Sequence, residues 1–245
     1  VLNALKKTSI EPYWFDTGTP TFLVRMIRAN MIDPVDINGR ICSKKDLMQV
    51  RMGSKDPIPL MFQTGYLTIS TYDPIRERYT LRFPNREVEK AFAEELLPLY
   101  IKDVKDSSSE FSLFKFQDDL FDGMPDKFME RLAILFKSMP YEDQCEAVYR
   151  AVMSLLCKLC SLDVRAEQHS HKGRSDLEVL TPDNIYIFEF KYNGSVSGAM
   201  DQIEARDYAG KYLLDGRRIY LIGVNYENSG DKRGLEYEIK ELIRP

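Results

Sequence analysis

The chain has 245 residues and a formal net charge of −4, with 44% hydrophobic and 29% charged residues. This composition is typical of a soluble globular protein, and no segment approaches the roughly 20 consecutive apolar residues of a membrane span. The first ten residues lack the layout of a signal peptide, and four cysteines are too few for a disulfide framework. We therefore expect a cytoplasmic protein, and the absence of an initiator Met predicts that the sequence belongs to a longer polypeptide.

Residues 1–105 predict a small mixed α+β unit. Its predicted elements, in chain order, are a helix capped by Thr19, a helix over 59–64 that stops at Gly65, strands over 66–71 and 78–83, and a helix over 86–100 capped by Asn85. The two strands would form a β-hairpin. Helix, helix, hairpin, helix is the order of a winged-helix-like module.

Residues 106–140 predict a helical connector. Residues 106–110 contain three consecutive serines and have the composition of a linker. Two amphipathic helices are expected after it, over 111–121 and 126–137.

In residues 141–245 the sequence pattern predicts helices that alternate with strands. The predicted elements are a helix over 142–162, strands over 164–170, 176–180 and 185–191, a helix over 198–214, and a strand over 218–224. Cys157 and Cys160 lie in the apolar part of the first helix, which favours buried cysteines over metal ligands. The order α-β-β-β-α-β predicts an α/β sheet with a crossover helix, within a chain that is α+β overall.

Glu189 and Lys191 lie two positions apart at the end of the strand over 185–191. Because strand side chains alternate between faces, both project to the same side as Ile185 and Ile187. The strand is apolar on both faces until Glu189, which indicates a central strand whose charged end reaches a site. A carboxylate and an ammonium group in that position require partners.

Asp176 precedes this strand in the sequence, and the turn predicted at 181–184 would join the two strands as a hairpin. Asp176 would then lie across from the Glu189 end of its partner. Two carboxylates that converge from adjacent strands suit Mg²⁺ or Mn²⁺. Such an ion polarises a phosphoryl oxygen and activates water, and Lys191 could orient that water or stabilise the developing negative charge.

Two groups of segments resemble known proteins. Gly173-Arg174-Ser175-Asp176 followed by Ile187-Phe188-Glu189-Phe190-Lys191 resembles the signature of the PD-(D/E)XK nucleases, with Ser175 in place of the proline. Residues 13–20 and 63–69 resemble the end of the ATPase-like region in a bacterial family that joins an AAA-ATPase-like region to such a nuclease. The resemblance spans nearly the whole chain and implies a restriction-endonuclease-like core, with DNA, or less readily RNA, as the substrate.

The resemblance also implies roles for individual residues. Asp176, Glu189 and Lys191 would be catalytic, and Asp176 and Glu189 would bind Mg²⁺ or Mn²⁺. A glutamate on the helix before the sheet often completes this metal site. Glu146 fits that position best and Glu142 is the alternative, while an ordinary helix-start carboxylate explains Glu146 equally well.

A glutamine on the helix after the Glu-x-Lys strand is common in such nucleases. Gln202 matches it, which implies a catalytic role. Its spacing to Tyr208 is wider than in the Gln-x-x-x-Tyr version of some relatives. An ordinary exposed helix residue is the competing interpretation.

Three functional hypotheses remain at this point. The first is a metal-dependent nuclease, and the second is an inactive nuclease fold that binds nucleic acid or protein. The presence of all the expected catalytic residues favours the first hypothesis. The net charge of −4 argues weakly against broad, tight DNA binding, and the ordinary charge balance keeps the second hypothesis open. A purely structural α/β domain is the third. The chain contains no G-x-x-x-x-G-K-[ST] loop, so we expect no ATP hydrolysis from these residues.

Overall fold

The structure is a computed structural model that describes residues 22–23, 25–27, 37–48, 56–101, 113–137, 139, 145–166, 169–170, 173–229 and 232–242. The segment 13–20, the linker 106–110 and Glu142 lie outside the described residues. Within the described part, no helix is long and apolar enough to cross a membrane. The chain divides into two compact units, Val1–Leu99 and Tyr100–Pro245.

The first unit contains an antiparallel sheet of three strands in the order β1-β3-β2. Its elements are β1 (Ile41–Ser43), α1 (Lys44–Met48), α2 (Ile58–Gln63), β2 (Thr68–Asp73), β3 (Arg78–Arg82) and α3 (Arg86–Tyr100). Gly65 has a φ of +84°, a left-handed conformation that suits glycine and ends α2 as predicted. The predicted hairpin and third helix are confirmed. The winged-helix assignment stays a prediction.

Helix α3 packs on the hairpin of the first unit. The Oδ1 atom of Asn85 accepts a hydrogen bond from the Val88 N–H at 2.9 Å, which is the expected cap. The ring of Phe92 lies 5.8 Å from Tyr66 and 5.7 Å from Phe83, measured between centroids. These aromatic contacts bury one side of the helix against the start and end of the hairpin.

The second unit contains the larger sheet. Its elements are α4 (Leu113–Phe121), α5 (Pro125–Lys137), α6 (Glu146–Leu159), β4 (Asp163–Ala166), β5 (His169–Ser170), β6 (Gly173–Arg174), β7 (Leu177–Leu180), β8 (Asn184–Tyr192), α7 (Val196–Arg206), β9 (Arg218–Ser229) and β10 (Lys232–Glu241). The helices α4 and α5, which we predicted in a connector, fall in this unit. The boundaries at 105 and 140 stay predictions.

The five-stranded sheet has the order β10-β9-β8-β7-β4. Strands β7 and β8 form the predicted antiparallel hairpin, and β8 pairs in parallel with β9. A parallel pair requires a crossover connection, and α7 provides it. The α-β-β-β-α-β order is therefore confirmed. Strand β8 is the central strand, and residues 184–190 are buried.

Helices cover both faces of this sheet. On one face, Ile185 and Ile187 share a buried cluster with Met200 and Ile203 of α7. On the other face, Phe188 meets the ring of Phe128 in α5 at 6.3 Å. The alternation predicted for β8 is thus realised, with α7 on the face that also carries Glu189 and Lys191.

The structure differs from the predicted elements at the end of α7 and in the strand β10. Helix α7 is shorter than expected, because Asp207 adopts a φ of 51° and ends it after Arg206. Strand β10 is not among the predicted elements. Its Leu235, Tyr237 and Ile239 are partly buried and alternate with exposed glutamates, the pattern of a half-buried edge strand.

Candidate active site

The candidate site lies at the end of the central strand β8. Glu189 and Lys191 are one strand repeat apart and project toward α7. The Lys191 ammonium donates to Glu189 Oε1 at 2.9 Å and to Gln202 Oε1 on α7, also at 2.9 Å. Gln202 Nε2 in turn donates to the Tyr208 hydroxyl at 3.3 Å. Three of the predicted site residues are therefore in contact through Lys191.

Asp176 lies immediately before β7, opposite the Glu189 end of β8. The register pairs Leu177 with Phe188, so the position just before β7, that of Asp176, faces Glu189. The Phe190 N–H donates to Asp176 Oδ2 at 2.9 Å. The hairpin therefore brings Asp176 beside the Glu-x-Lys segment, although thirteen positions separate Asp176 from Glu189 in the sequence.

Burial controls the charge of Glu189, whose side chain is 1% exposed. Burial first, and then the negative charge of Asp176, raise the pKa of the Glu189 carboxyl to about 7. The Lys191 ammonium opposes this change without cancelling it. Burial lowers the pKa of Lys191, but the hydrogen bond and charge of Glu189 outweigh burial, and the pKa of Lys191 is raised. Lys191 therefore stays protonated at neutral pH, whereas a pKa of about 7 means that Glu189 titrates near neutral pH.

Glu146 is the first residue of α6, and its side chain is exposed. Partial desolvation, followed by the negative charge of Asp176, raises the pKa of the Glu146 carboxyl. Glu146 in turn contributes to the raised pKa of Glu189. Glu146 therefore lies within electrostatic reach of both other carboxylates.

The carboxylates of Asp176 and Glu189 fit a divalent cation. Glu189 Oε2 is buried and has no hydrogen-bond partner, which is costly for a carboxylate unless a positive charge is supplied. The oxygen donors of Asp176 and Glu189 suit a hard cation such as Mg²⁺ or Mn²⁺. Within the described ranges, no three His, Cys, Asp or Glu side chains are grouped closely enough to hold a metal ion. Ligation by Glu146 therefore stays a prediction.

A second buried carboxylate on the same face has a different environment. Glu178 is 0% exposed and lies across from Ile187. It accepts hydrogen bonds from Ser175 Oγ at 2.7 Å, Lys211 Nζ at 2.9 Å and the Tyr212 hydroxyl at 2.6 Å. Both of its oxygens have partners, so Glu178 requires no added cation and supports the turn that carries Asp176.

Glu178 and one cation, Arg150, were not among the predicted site residues. Arg150 Nη1 lies 3.8 Å from Asp176 Oδ1, and both side chains are 18% exposed. Arg150 is four residues after Glu146 on α6, which places both on one side of the helix. That four-residue spacing is a signal in the sequence by which Arg150 could have been identified.

Cys157 and Cys160 are buried, as predicted. The Cys160 thiol donates a hydrogen bond to the Leu113 carbonyl at 3.4 Å.

Comparisons with known proteins identify a relative and a superfamily match. A protein of Azotobacter chroococcum mcd 1, described as "Uncharacterized protein in vnfD 5'region", is 31% identical over 250 residues, which cover 96% of this chain and 47% of the relative. The chain thus spans about half the length of that curated relative. No solved structure matches. Residues 144–236, which contain all five predicted site residues, match the PD-(D/E)XK nuclease superfamily.

Proposed function

We propose that this protein is a Mg²⁺- or Mn²⁺-dependent nuclease that hydrolyses phosphodiester bonds of DNA. One observation carries the proposal. In a PD-(D/E)XK superfamily domain, the buried Glu189 presents an oxygen without a partner beside Asp176 and the protonated Lys191. A purely structural core would be expected to pair that oxygen, as it does for Glu178.

Asp176 and Glu189 would hold the cation, with Glu146 as the proposed third ligand. The bound ion would supply positive charge to a phosphoryl oxygen and acidify a water molecule. Asp176 is held in place through Oδ2 by the Phe190 N–H. The carboxylate is therefore positioned before any ligand arrives, which lowers the cost of ordering the site.

Lys191 would stabilise negative charge that develops on the phosphate oxygens as water attacks phosphorus. Gln202 acts as a positioning residue, because it accepts a hydrogen bond from Lys191 and is itself anchored to the buried Tyr208. This connection restricts the rotamers of the long Lys191 side chain. A cation with a fixed position stabilises a developing charge better than a mobile one.

We further propose that the nuclease acts within a larger ATPase–nuclease protein. The resemblance of residues 13–20 and 63–69 to an ATPase-like region supports this proposal. The absence of a phosphate-binding Gly-x-x-x-x-Gly-Lys loop in these 245 residues means that a nucleotide site would belong to another segment. In that arrangement residues 1–105 would be a winged-helix-like module and 106–140 a connector.

Cleavage of plasmid and single-stranded DNA, with an RNA oligonucleotide for comparison, tests the proposal. The wild-type chain should cleave DNA with Mg²⁺ or Mn²⁺ and not with EDTA. Asp176→Ala and Lys191→Ala should each lower the rate by about 10² or more. Asp201→Ala is the matched control, because Asp201 is an exposed carboxylate on α7 and its loss should leave the rate unchanged.

Calorimetric titration with Mn²⁺ separates an inactive domain from an active one. Wild type should bind Mn²⁺ and Asp176→Ala should not. A chain that neither binds Mn²⁺ nor cleaves DNA with any metal ion would refute the enzyme proposal. DNA binding that persists without metal binding or cleavage would instead identify a nuclease fold retained for nucleic-acid binding.

A further inference from the structure

Arg150 is a cation at the edge of the candidate site that the proposed mechanism does not use. Its Nη1 atom lies 3.8 Å from Asp176 Oδ1, near the outer limit of an ion pair. Elsewhere in the same unit, Arg131 contacts Asp119 at 2.6 Å. The Arg150–Asp176 contact is therefore loose by comparison, although both side chains are only 18% exposed. At this distance the guanidinium can also act electrostatically on a ligand that Asp176 binds.

Asp176 is held from two sides. The Phe190 N–H donates to Oδ2, whereas Oδ1 faces the Arg150 guanidinium. A divalent cation bound by Asp176 would place two positive charges beside this guanidinium. Like charges repel, so cation binding must weaken the attraction between Arg150 and Asp176. Because arginine stays protonated, the guanidinium cannot relieve the repulsion by losing a proton.

Lys191, unlike Arg150, is held by hydrogen bonds that do not involve Asp176. It donates to both Glu189 and Gln202 at 2.9 Å, which anchors it toward α7. Arg150 is on α6, one turn after Glu146. The two cations thus approach the carboxylates from different elements, and the planar guanidinium has the donor geometry that matches a phosphate group.

We propose that Arg150 is a substrate-binding residue that exchanges Asp176 for a non-bridging phosphate oxygen of the nucleic acid. Before the cation and substrate arrive, Arg150 compensates the Asp176 charge. Afterwards it neutralises the phosphate that lies next to the cation. This inference rests on the proposed nuclease function and adds a second protein cation to the phosphate site.

The test compares wild type with Arg150→Ala and Arg150→Lys in the full chain. Arg165→Ala is the matched control, because Arg165 also pairs with an aspartate, Asp163, at 3.0 Å but on an exposed part of β4. Three quantities are measured: Mn²⁺ affinity by calorimetry without DNA, the affinity for a short DNA duplex in Ca²⁺ buffer by fluorescence anisotropy, and its salt dependence. Thermal unfolding confirms that each variant is folded.

Arg150→Ala should bind Mn²⁺ as tightly as wild type or several-fold more tightly, because a repelling charge is removed. Its DNA affinity should fall by about tenfold or more, in line with the loss of a charged hydrogen bond. The slope of log K against log salt should decrease by about one, as expected for one lost phosphate contact. Arg150→Lys should retain part of the affinity, and Arg165→Ala should retain all of it.

Unchanged DNA affinity and salt slope in Arg150→Ala would overturn the inference while leaving the nuclease proposal intact. A loss of Mn²⁺ affinity that parallels the loss of cleavage, with the salt slope unchanged, would also overturn it, because Arg150 would then only position Asp176. A wild-type chain that binds neither Mn²⁺ nor DNA would overturn both the inference and the nuclease proposal.

Discussion

Two glutamates on one face of adjacent strands differ in how their charge is satisfied. Glu178 and Glu189 are both almost completely buried. Ser175, Lys211 and Tyr212 surround Glu178 with donors, whereas Glu189 Oε2 has no partner. Burial favours the protonated form of this carboxyl, and the charge of Asp176 adds to the effect, so the pKa of Glu189 is raised although Lys191 pairs with Oε1. A cation bound to Glu189 Oε2 would offset the cost of burying this carboxylate in its charged form.

The raised pKa of Glu189 predicts a pH-dependent stability in metal-free buffer. Its folded-state pKa of about 7 exceeds the ordinary value of 4.5, so the folded state binds this proton more tightly than the unfolded state. The contribution of Glu189 to stability should therefore be neutral below pH 4.5 and become unfavourable as the pH rises toward 7, by about 3 kcal/mol. Glu189→Gln does not titrate and should lack this loss.

Urea unfolding in EDTA at pH 5 and pH 8 checks this expectation. The free energy of unfolding should decrease more between these pH values in wild type than in Glu189→Gln. Asp201→Asn, which removes an exposed carboxylate from α7, is the control and should follow wild type. Equal changes in wild type and Glu189→Gln would mean that Glu189 is ionised at both pH values.

At the scale of elements, the approach of α7 to the sheet decides where Gln202 lies. Gly223 on β9 is paired with Glu189 on β8. A Cβ atom at Gly223 would lie 2.9 Å from Met200 Cγ and 3.1 Å from the Val196 carbonyl oxygen, both in α7. The missing side chain therefore lets the start of α7 lie close to the sheet, beside the strand end that carries the site.

Replacing Gly223 with alanine should push α7 away from the sheet. Because one of the crowded atoms belongs to the helix backbone, we expect a loss of about 1–3 kcal/mol in the free energy of unfolding. Gly234→Ala on β10 is a close control, since its added Cβ meets no atom within 4 Å. Urea unfolding of both variants measures the difference, and equal stabilities would show that α7 adjusts without cost.

At the scale of the whole molecule, all five predicted site residues belong to the second unit, Tyr100–Pro245. The chain has a net charge of −4, so affinity for nucleic acid cannot come from a general basic surface. Under the proposed function, positive charge would instead be supplied locally, by Lys191, Arg150 and the proposed cation. We therefore expect weak nucleic-acid binding without metal ions and stronger binding with them.

Metal binding should also stabilise this unit. A ligand that binds only the folded state raises the free energy of unfolding by about 2.7 kcal/mol at a concentration one hundred times its Kd. Mn²⁺ should therefore raise the Tm of wild type by several degrees, and Asp176→Asn should show no such shift. Peptide-level hydrogen exchange should locate the added protection in α6, β7 and β8. Equal shifts in both proteins would indicate that Mn²⁺ binds elsewhere.

Features that depend on neighbouring positions could be predicted from the amino-acid sequence alone. The period of two in 185–191 placed Glu189 and Lys191 on one face, and the turn at 181–184 predicted the hairpin that brings Asp176 to them. Apolar spacing predicted α3, α5 and most of α6. These features follow from backbone geometry within one element or one turn, so no distant contact is needed to establish them.

Contacts between side chains of distant elements became known only from the folded structure. Arg150 on α6 faces Asp176, Gln202 joins Lys191 to Tyr208, and Glu189 Oε2 is left without a partner. Apart from the four-residue spacing of Glu146 and Arg150, these contacts have no periodic signature, because each depends on how a helix crosses the sheet. The sequence thus predicted the acidic pair and its lysine, and packing determined their charge states and the cations around them.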